Sequence, residues 1–202
     1  MKTRLINAVI FLALYLAFLA WYDGWGMDPF TAEEVDSLAS KVEAQGKNPE
    51  QLKNLRRLLK DDQGGEFFML NLNRYEYAEN EVQQGVPVAY QTYGKAVIQL
   101  LLKRACHPIY SGEIPDYLLG GEIRDGSWHE IILVRYRSRR DFISMVTSDE
   151  YLKIARHRTG GIEYAEVTPT RASINLVTPR FVILVLLVFL AWALDRLIRR
   201  AR

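Results

Sequence analysis

Cysteine is almost absent from this 202-residue chain. Its one thiol, Cys106, excludes an internal disulfide and any cysteine-built zinc site, and reads as a small buried apolar residue. Histidine is nearly as scarce, at three residues. None makes an HxxxH pair or sits three or four residues from a carboxylate on an expected helix, so neither metal nor cofactor is expected. Charge of one sign is also lacking: 26 Lys and Arg against 24 Asp and Glu leave +2, too little for a nucleic-acid binder. The cluster Arg135, Arg137, Arg139, Arg140 reads as a solvated strand end. There are no repeats and no low-complexity stretches. Gly64-Gly65 and Gly120-Gly121 lack the surroundings of a phosphate loop or nucleophile elbow, and Ser138 has no evident partner base.

What the chain has instead is an apolar run near each end. Leu5 to Trp21 is 17 residues, and Phe181 to Leu194 is 14, reaching Ile198 if Asp195 and Arg196 extend to headgroups. A bilayer core needs about 20 apolar residues per helix, so the first run is just long enough and the second is short. Residues 1–22 carry +2 and residues 179–202 carry +4, which leaves −4 for the middle. Cytoplasmic flanks favour Lys and Arg, so both termini are expected in the cytoplasm at the inner membrane, with the central domain outside it. Arg171 and Arg180 soften that bias. A cleaved signal peptide is the rival for the first run, but Ala17-Phe18-Leu19-Ala20 makes a poor cleavage site and Trp21-Tyr22 resembles an interfacial anchor. For the second run the rival is a buried soluble helix, against which stands the lack of any polar face.

Between the runs the expected layout is a helical neck over 23–60, a domain over 61–172, and the second span with its basic tail over 173–202. Thr31 and Glu34 have capping-box spacing before the stripe Val35, Leu38, Val42, which Gly46 ends. Asn48-Pro49 then starts a second helix with Leu52, Leu55, Leu58 and Leu59. Asp61-Asp62-Gln63-Gly64-Gly65 is a breaker cluster. Beyond it, Phe67 to Asn73 reads as a strand with Leu70 and Leu72 on one face and Met69, Asn71 and Asn73 on the other. A polar loop over 74–86, a helix from about Pro87 to Arg104, a strand Ile109–Ile114 and turns at Gly120-Gly121 and Asp125-Gly126 follow. Ile131 to Val134 is apolar on both faces and should be a central strand. One helix from about Arg139 to His157, closed by Gly160-Gly161, precedes a strand from Ile162 to Val167. The order βαββαβ is the ferredoxin-like α+β arrangement, an antiparallel sheet with both helices on one face. The bare face then needs cover, most economically from a second copy, giving a homodimer.

Met69 to Tyr75, Tyr93-Gly94 ahead of helix, Trp128, Leu133 to Arg139, Phe142 to Met145, Glu150-Tyr151 and His157-Arg158 with Gly161 carry a family resemblance. Residues 61–170 resemble small bacterial domains of unknown function with the dimeric α/β-barrel fold, which is shared with antibiotic-biosynthesis monooxygenases. The resemblance implies the fold; it implies no activity, because that fold hosts catalysts and inert dimers alike. Ala105-Cys106 stands where such domains usually have a glycine pair.

Candidate binding residues are Asn71, Asn73, Tyr93, His129, Arg135, His157 and Arg158. His129 and Arg135 fall on one side of a regular strand and could together hold a carboxylate or enolate, or else serve as a strand start and an ion pair. Two asparagines on one strand face are costly unless bonded or wet, and could line a polar pocket in the dimer barrel or bond a neighbouring loop. Tyr90 and Tyr93, three apart on a helix, could close that pocket or pack the helix to the sheet. His157 and Arg158 suit a helix C-terminus, where cations are favoured, and His107 suits an exposed turn. The expected function is a membrane-tethered module binding a small organic ligand or serving as a scaffold. The alternative is a cofactor-independent oxygenase or isomerase in the same cavity.

Overall fold

The computed structural model describes residues 2–44, 49–115, 128–176 and 178–200. The expected stop at Gly46, the cap at Asn48 and the turns at Gly120-Gly121 and Asp125-Gly126 lie outside the described residues. In chain order the elements are α1 (Lys2–Asp23), α2 (Ala32–Ala44), α3 (Pro49–Lys60), β1 (Phe67–Tyr75), β2 (Val82–Gln83), β3 (Val86–Pro87), α4 (Val88–Leu102), β4 (His107–Glu113), β5 (Glu130–Tyr136), α5 (Arg139–Val146), α6 (Asp149–Gly161), β6 (Ile162–Thr170) and α7 (Pro179–Arg200). They form two compact units, Met1–Gly26 with Ser173–Arg202, and Met27–Ala172.

In the first unit α1 and α7 run antiparallel. Asn7 Nδ2 donates to the Ala191 carbonyl at 2.8 Å. Arg4 pairs with Asp195 at 3.2 Å, and Arg180 pairs with Asp23 at 2.6 Å at the opposite end. Both helices are long and apolar enough to cross a membrane. At 22 residues, α7 extends beyond the 14-residue run because Pro179 starts the helix early and Asp195, bonded to Arg4 and Arg199, is carried inside it. By rise alone it is about 33 Å long, enough for a hydrocarbon core of about 30 Å.

The second unit is the ferredoxin-like domain. Its sheet order is β4–β5–β1–β6, every neighbour antiparallel, with β5 central as its two-sided apolar sequence requires. Odd residues of β1 face the helices: Phe67 and Met69 join Val134 and Tyr136 of β5, Val97, Leu100 and Leu101 of α4, and Met145 of α5 in one buried cluster. Each such side chain contributes about 1.5–3 kcal/mol on burial. The even set is Phe68, Leu70 and Leu72, opposite Arg135, Leu133 and Ile131. Leu70, Leu72, Ile131 and Leu133 belong to neither buried cluster.

Four expectations need correction. The helix expected over 139–157 is two, because Ser148 breaks it and caps α6 by accepting from Tyr151 N. The loop 74–86 holds the end of β1, all of β2 and the first residue of β3. The last strand continues to Thr170 through Pro169, which an edge strand tolerates because one side needs no donor. The helices α2 and α3, expected as a neck over 23–60 apart from the domain at 61–172, pack onto that domain: Val35 and Leu59 are buried against Ile143 of α5. The capping box forms as its spacing predicts, Thr31 N donating to Glu34 at 2.8 Å and Glu34 N to Thr31 Oγ1 at 3.2 Å. Glu34 then accepts from both terminal nitrogens of Arg140, whose Nε donates to the Asp28 carbonyl and whose guanidinium lies 4.4 Å from the Phe30 ring centre. That guanidinium is the main reason the Glu34 carboxyl is held down to about 2. Asp62 completes the joint by accepting from Phe30 N and Gly64 N. The breaker cluster is therefore a fastening point inside the unit.

Candidate functional site

A cavity of about 300 Å³ lies between the sheet and α4. Its apolar wall is Val97, Ile98 and Leu101 of α4 with Ile132 and Val134 of β5; its polar lining includes Asn71, Tyr90, Tyr93, Ser111, Glu130, Tyr136 and Arg158. A larger depression of about 440 Å³ is lined by charged groups that bond one another, Asp62 to Arg139 and Arg171 to the Asp61 carbonyl, with no apolar wall to hold an organic body. The cavity is the better ligand site, since pockets for small molecules are mostly apolar with a few placed polar groups.

The polar end is built from β1 outward. Asn73, fully buried, donates both amide hydrogens, to Tyr90 Oη at 2.8 Å and to Glu130 at 3.0 Å. Ser111 donates to the other Glu130 oxygen at 3.3 Å, and this carboxylate helps burial to raise the pKa of the Tyr75 phenol. Asn71 donates to the Met69 carbonyl at 3.1 Å and presents its remaining atoms to the cavity. Tyr90 stacks on Tyr93 with ring centres 5.8 Å apart, and Tyr93 meets Tyr151 edge-on at 6.3 Å. Burial raises the pKa of all three cavity phenols. The Glu130 carboxylate adds to the effect at Tyr90, Tyr151 adds to it at Tyr93, and Cys106 adds to it at Tyr136. Arg158 pulls each of them the other way. The phenols are therefore neutral hydrogen-bonding groups, not bases, gathered around one guanidinium.

Two glycines shape this site. Gly161 at the end of α6 lets the start of α4 approach: a Cβ there would lie 2.7 Å from Tyr90 N. Gly94 sits in mid-helix on the cavity wall, where glycine costs about 1 kcal/mol relative to alanine, yet a Cβ there would meet nothing within 4 Å. No packing neighbour requires a glycine at 94, and the position lies open on the cavity wall. In the sequence Tyr93-Gly94 carries only a resemblance, although an isolated glycine in an otherwise helical stretch is a signal of its own.

Of the seven candidate residues, the structure brings Asn71, Tyr93 and Arg158 to the cavity and places Asn73 directly behind it, through Tyr90 and Glu130. The asparagines face the helices, not the interior of an intersheet barrel, because they share the side of β1 that carries Phe67 and Met69 inward. His129 and Arg135 do not meet there. His129 Nδ1 accepts from Tyr75 N at 2.9 Å, with the ring against Tyr75 and Tyr77, and burial followed by nearby Arg74 lowers its pKa. Arg135, 1% exposed, donates to Glu66 at 2.7 Å and to the Ala105 carbonyl at 2.8 Å, so it fastens the sheet to the turn after α4. His157 is half-buried on α6 and does not line the cavity. Cys106 is buried, which pushes its thiol up to about 11. Among the described residues no three His, Cys, Asp or Glu side chains gather as metal ligands would.

No protein-family model and no curated protein sequence matches the chain. Solved structures do. A protein of unknown function from Rhodopseudomonas palustris is similar over 64% of this chain and 96% of its own, at 20% identity and a TM-score of 0.52. The hydroxynitrile lyase of Passiflora edulis is similar over 56% and 97%, at 16% identity and 0.40. A DABB-family protein with a ferredoxin-like fold from Mesorhizobium loti is similar over 55% and 98%, at 8% identity and 0.37. At such identities the likeness speaks of fold and not of chemistry. Sheet order and structural neighbours agree: the unit Met27–Ala172 is a ferredoxin-like α+β domain, similar to domains of unknown function with that fold.

Proposed function

We propose that this chain is a membrane-held module whose α/β unit binds a small organic molecule between α4 and the sheet and pairs with a second copy through the bare sheet face. The observation that carries the binding reading is the cavity itself: an apolar wall from α4 and β5 on which Asn71, Tyr90, Tyr93 and Arg158 converge, with the open helix position Gly94 at its side. Two further features support the rest. Along α1 and α7 the apolar side chains are exposed, Leu5 at 68% and Phe181 at 68% among them, and a bilayer is the solvent that suits 20-residue exposed apolar helices. Basic residues flanking both apolar runs support a cytoplasmic side for both termini. Binding is favoured over turnover because the cavity phenols are neutral and His129 and Arg135 are engaged elsewhere.

The test is Gly94→Leu in the full chain, purified in detergent and examined by native mass spectrometry. Leucine at 94 fills the cavity from a Cβ that meets no neighbour, so the helix stays formed. The wild-type chain is expected to carry added mass that is released on denaturation and that the variant lacks. Identical spectra, with or without added mass, would overturn the binding reading.

A further inference from the structure

The cavity contains one cation and one anion that are not paired with each other. Glu130 already accepts from Asn73 at one oxygen and from Ser111 at the other. Arg158 differs: it is half-buried, it lines the cavity, and no ion pair among the described residues includes it. A guanidinium partly withdrawn from water beside an apolar wall is stabilised by an anion, and its planar fork matches a carboxylate in two parallel hydrogen bonds. The phenols of Tyr90, Tyr93 and Tyr136 surround the same position, and Val97, Ile98, Ile132 and Val134 offer a surface for a flat or branched apolar body.

We infer that the ligand is a small organic carboxylate, with the acid group on Arg158 and an aryl or branched alkyl body against the apolar wall beside Gly94. The inference rests on the binding reading above. A single guanidinium matches a single negative charge; a phosphate dianion would bring a second charge into a cavity that also holds Glu130.

The experiment titrates the full chain in detergent with benzoate, with benzamide as its neutral analogue and with phenyl phosphate. Benzoate is expected to bind at least about tenfold more tightly than benzamide, as loss of a charge-assisted hydrogen-bonded pair predicts. Arg158→Gln should abolish that difference, Arg158→Lys should restore part of it, and Gly94→Leu should remove binding of all three probes. Equal binding of benzoate and benzamide, with Gly94→Leu blocking both, would overturn the carboxylate and leave the cavity reading standing. Tighter binding of phenyl phosphate would overturn the choice of anion. No binding by any probe would overturn the ligand class, and the native mass spectrum would then judge the cavity reading separately.

Discussion

The two faces of β1 carry the opposite of what their surroundings suggest. Toward the helices, after Phe67 and Met69, the strand presents Asn71 and Asn73, with Glu130 beside them on β5. Away from the helices it presents Leu70 and Leu72 beside Ile131 and Leu133. Most polar atoms on the covered face are bonded or border the cavity; the exception is Asn73 Oδ1, buried behind it without a partner among the described residues. Apolar side chains on the bare face have no such account within the described chain. The comparison teaches that the two faces differ in kind: the covered one opens on a cavity edged by polar groups, and the bare one is an apolar surface.

The largest break in that comparison is on the bare face. Leu70 and Leu133 are directly opposed neighbours at its centre. Replacing both with lysine should turn a dimer into a monomer in detergent. Two anchors at about 2 kcal/mol each weaken association roughly a thousandfold. The lysines point to solvent in the separated subunit, so its thermal midpoint should barely move, and cavity binding should survive. A double variant that stays dimeric by light scattering would mean that another surface makes the contact.

Next in size is Arg135, which belongs to the bare face by register yet is sealed at its edge. Arg135→Met removes the partner of Glu66 and one donor to the Ala105 carbonyl. Deleting one member of a fully buried pair costs about 3–5 kcal/mol, but Glu66 is 29% exposed and can rehydrate, so about 2–3 kcal/mol is expected from urea unfolding. Ligand affinity should be unchanged in the fraction that stays folded. A selective loss of affinity with stability intact would restore Arg135 to the binding site.

How much of this was legible in the sequence follows from the range of each interaction. The alternation of β1, the central place of β5 and the βαββαβ order are local patterns of period two or of element succession, and the structure has all three. The Thr31–Glu34 box is likewise local. What periodicity could not supply is which face the helices cover, since polar and apolar residues occupy the faces against the usual rule; Asn71 and Asn73 therefore read equally as lining a barrel interior or bonding a neighbouring loop. Nor could it supply partners far apart in the chain, such as Arg140 for Glu34, Glu66 for Arg135, or Glu130 for Asn73. Each of those bonds decides whether a charged or polar residue is structural or free for a ligand. Arg158 was legible as a candidate only by resemblance, and its place on the cavity wall depends on where α6 crosses the sheet.

The smallest effect sharpens the comparison from outside both faces. Ala105 adopts φ 55°, the left-handed conformation that usually ends a helix at glycine, and Cys106 N donates to the Leu101 carbonyl at 3.0 Å to close the turn after α4. The turn thus has the shape of the glycine pair it lacks. For a residue with a Cβ that conformation costs about 1–2 kcal/mol, whereas burying one methyl returns about 0.8 kcal/mol, and Ala105 is only 3% exposed. Ala105→Gly should therefore gain about 0.5 kcal/mol, a rise of roughly 1–2 °C in Tm. It should do so with the Arg135 bond to the residue-105 carbonyl kept, since that acceptor is backbone. Benzoate affinity and the dimer should both be untouched, because the turn serves neither face. A loss of stability instead would show that the alanine methyl packs into the core more tightly than its backbone strain costs.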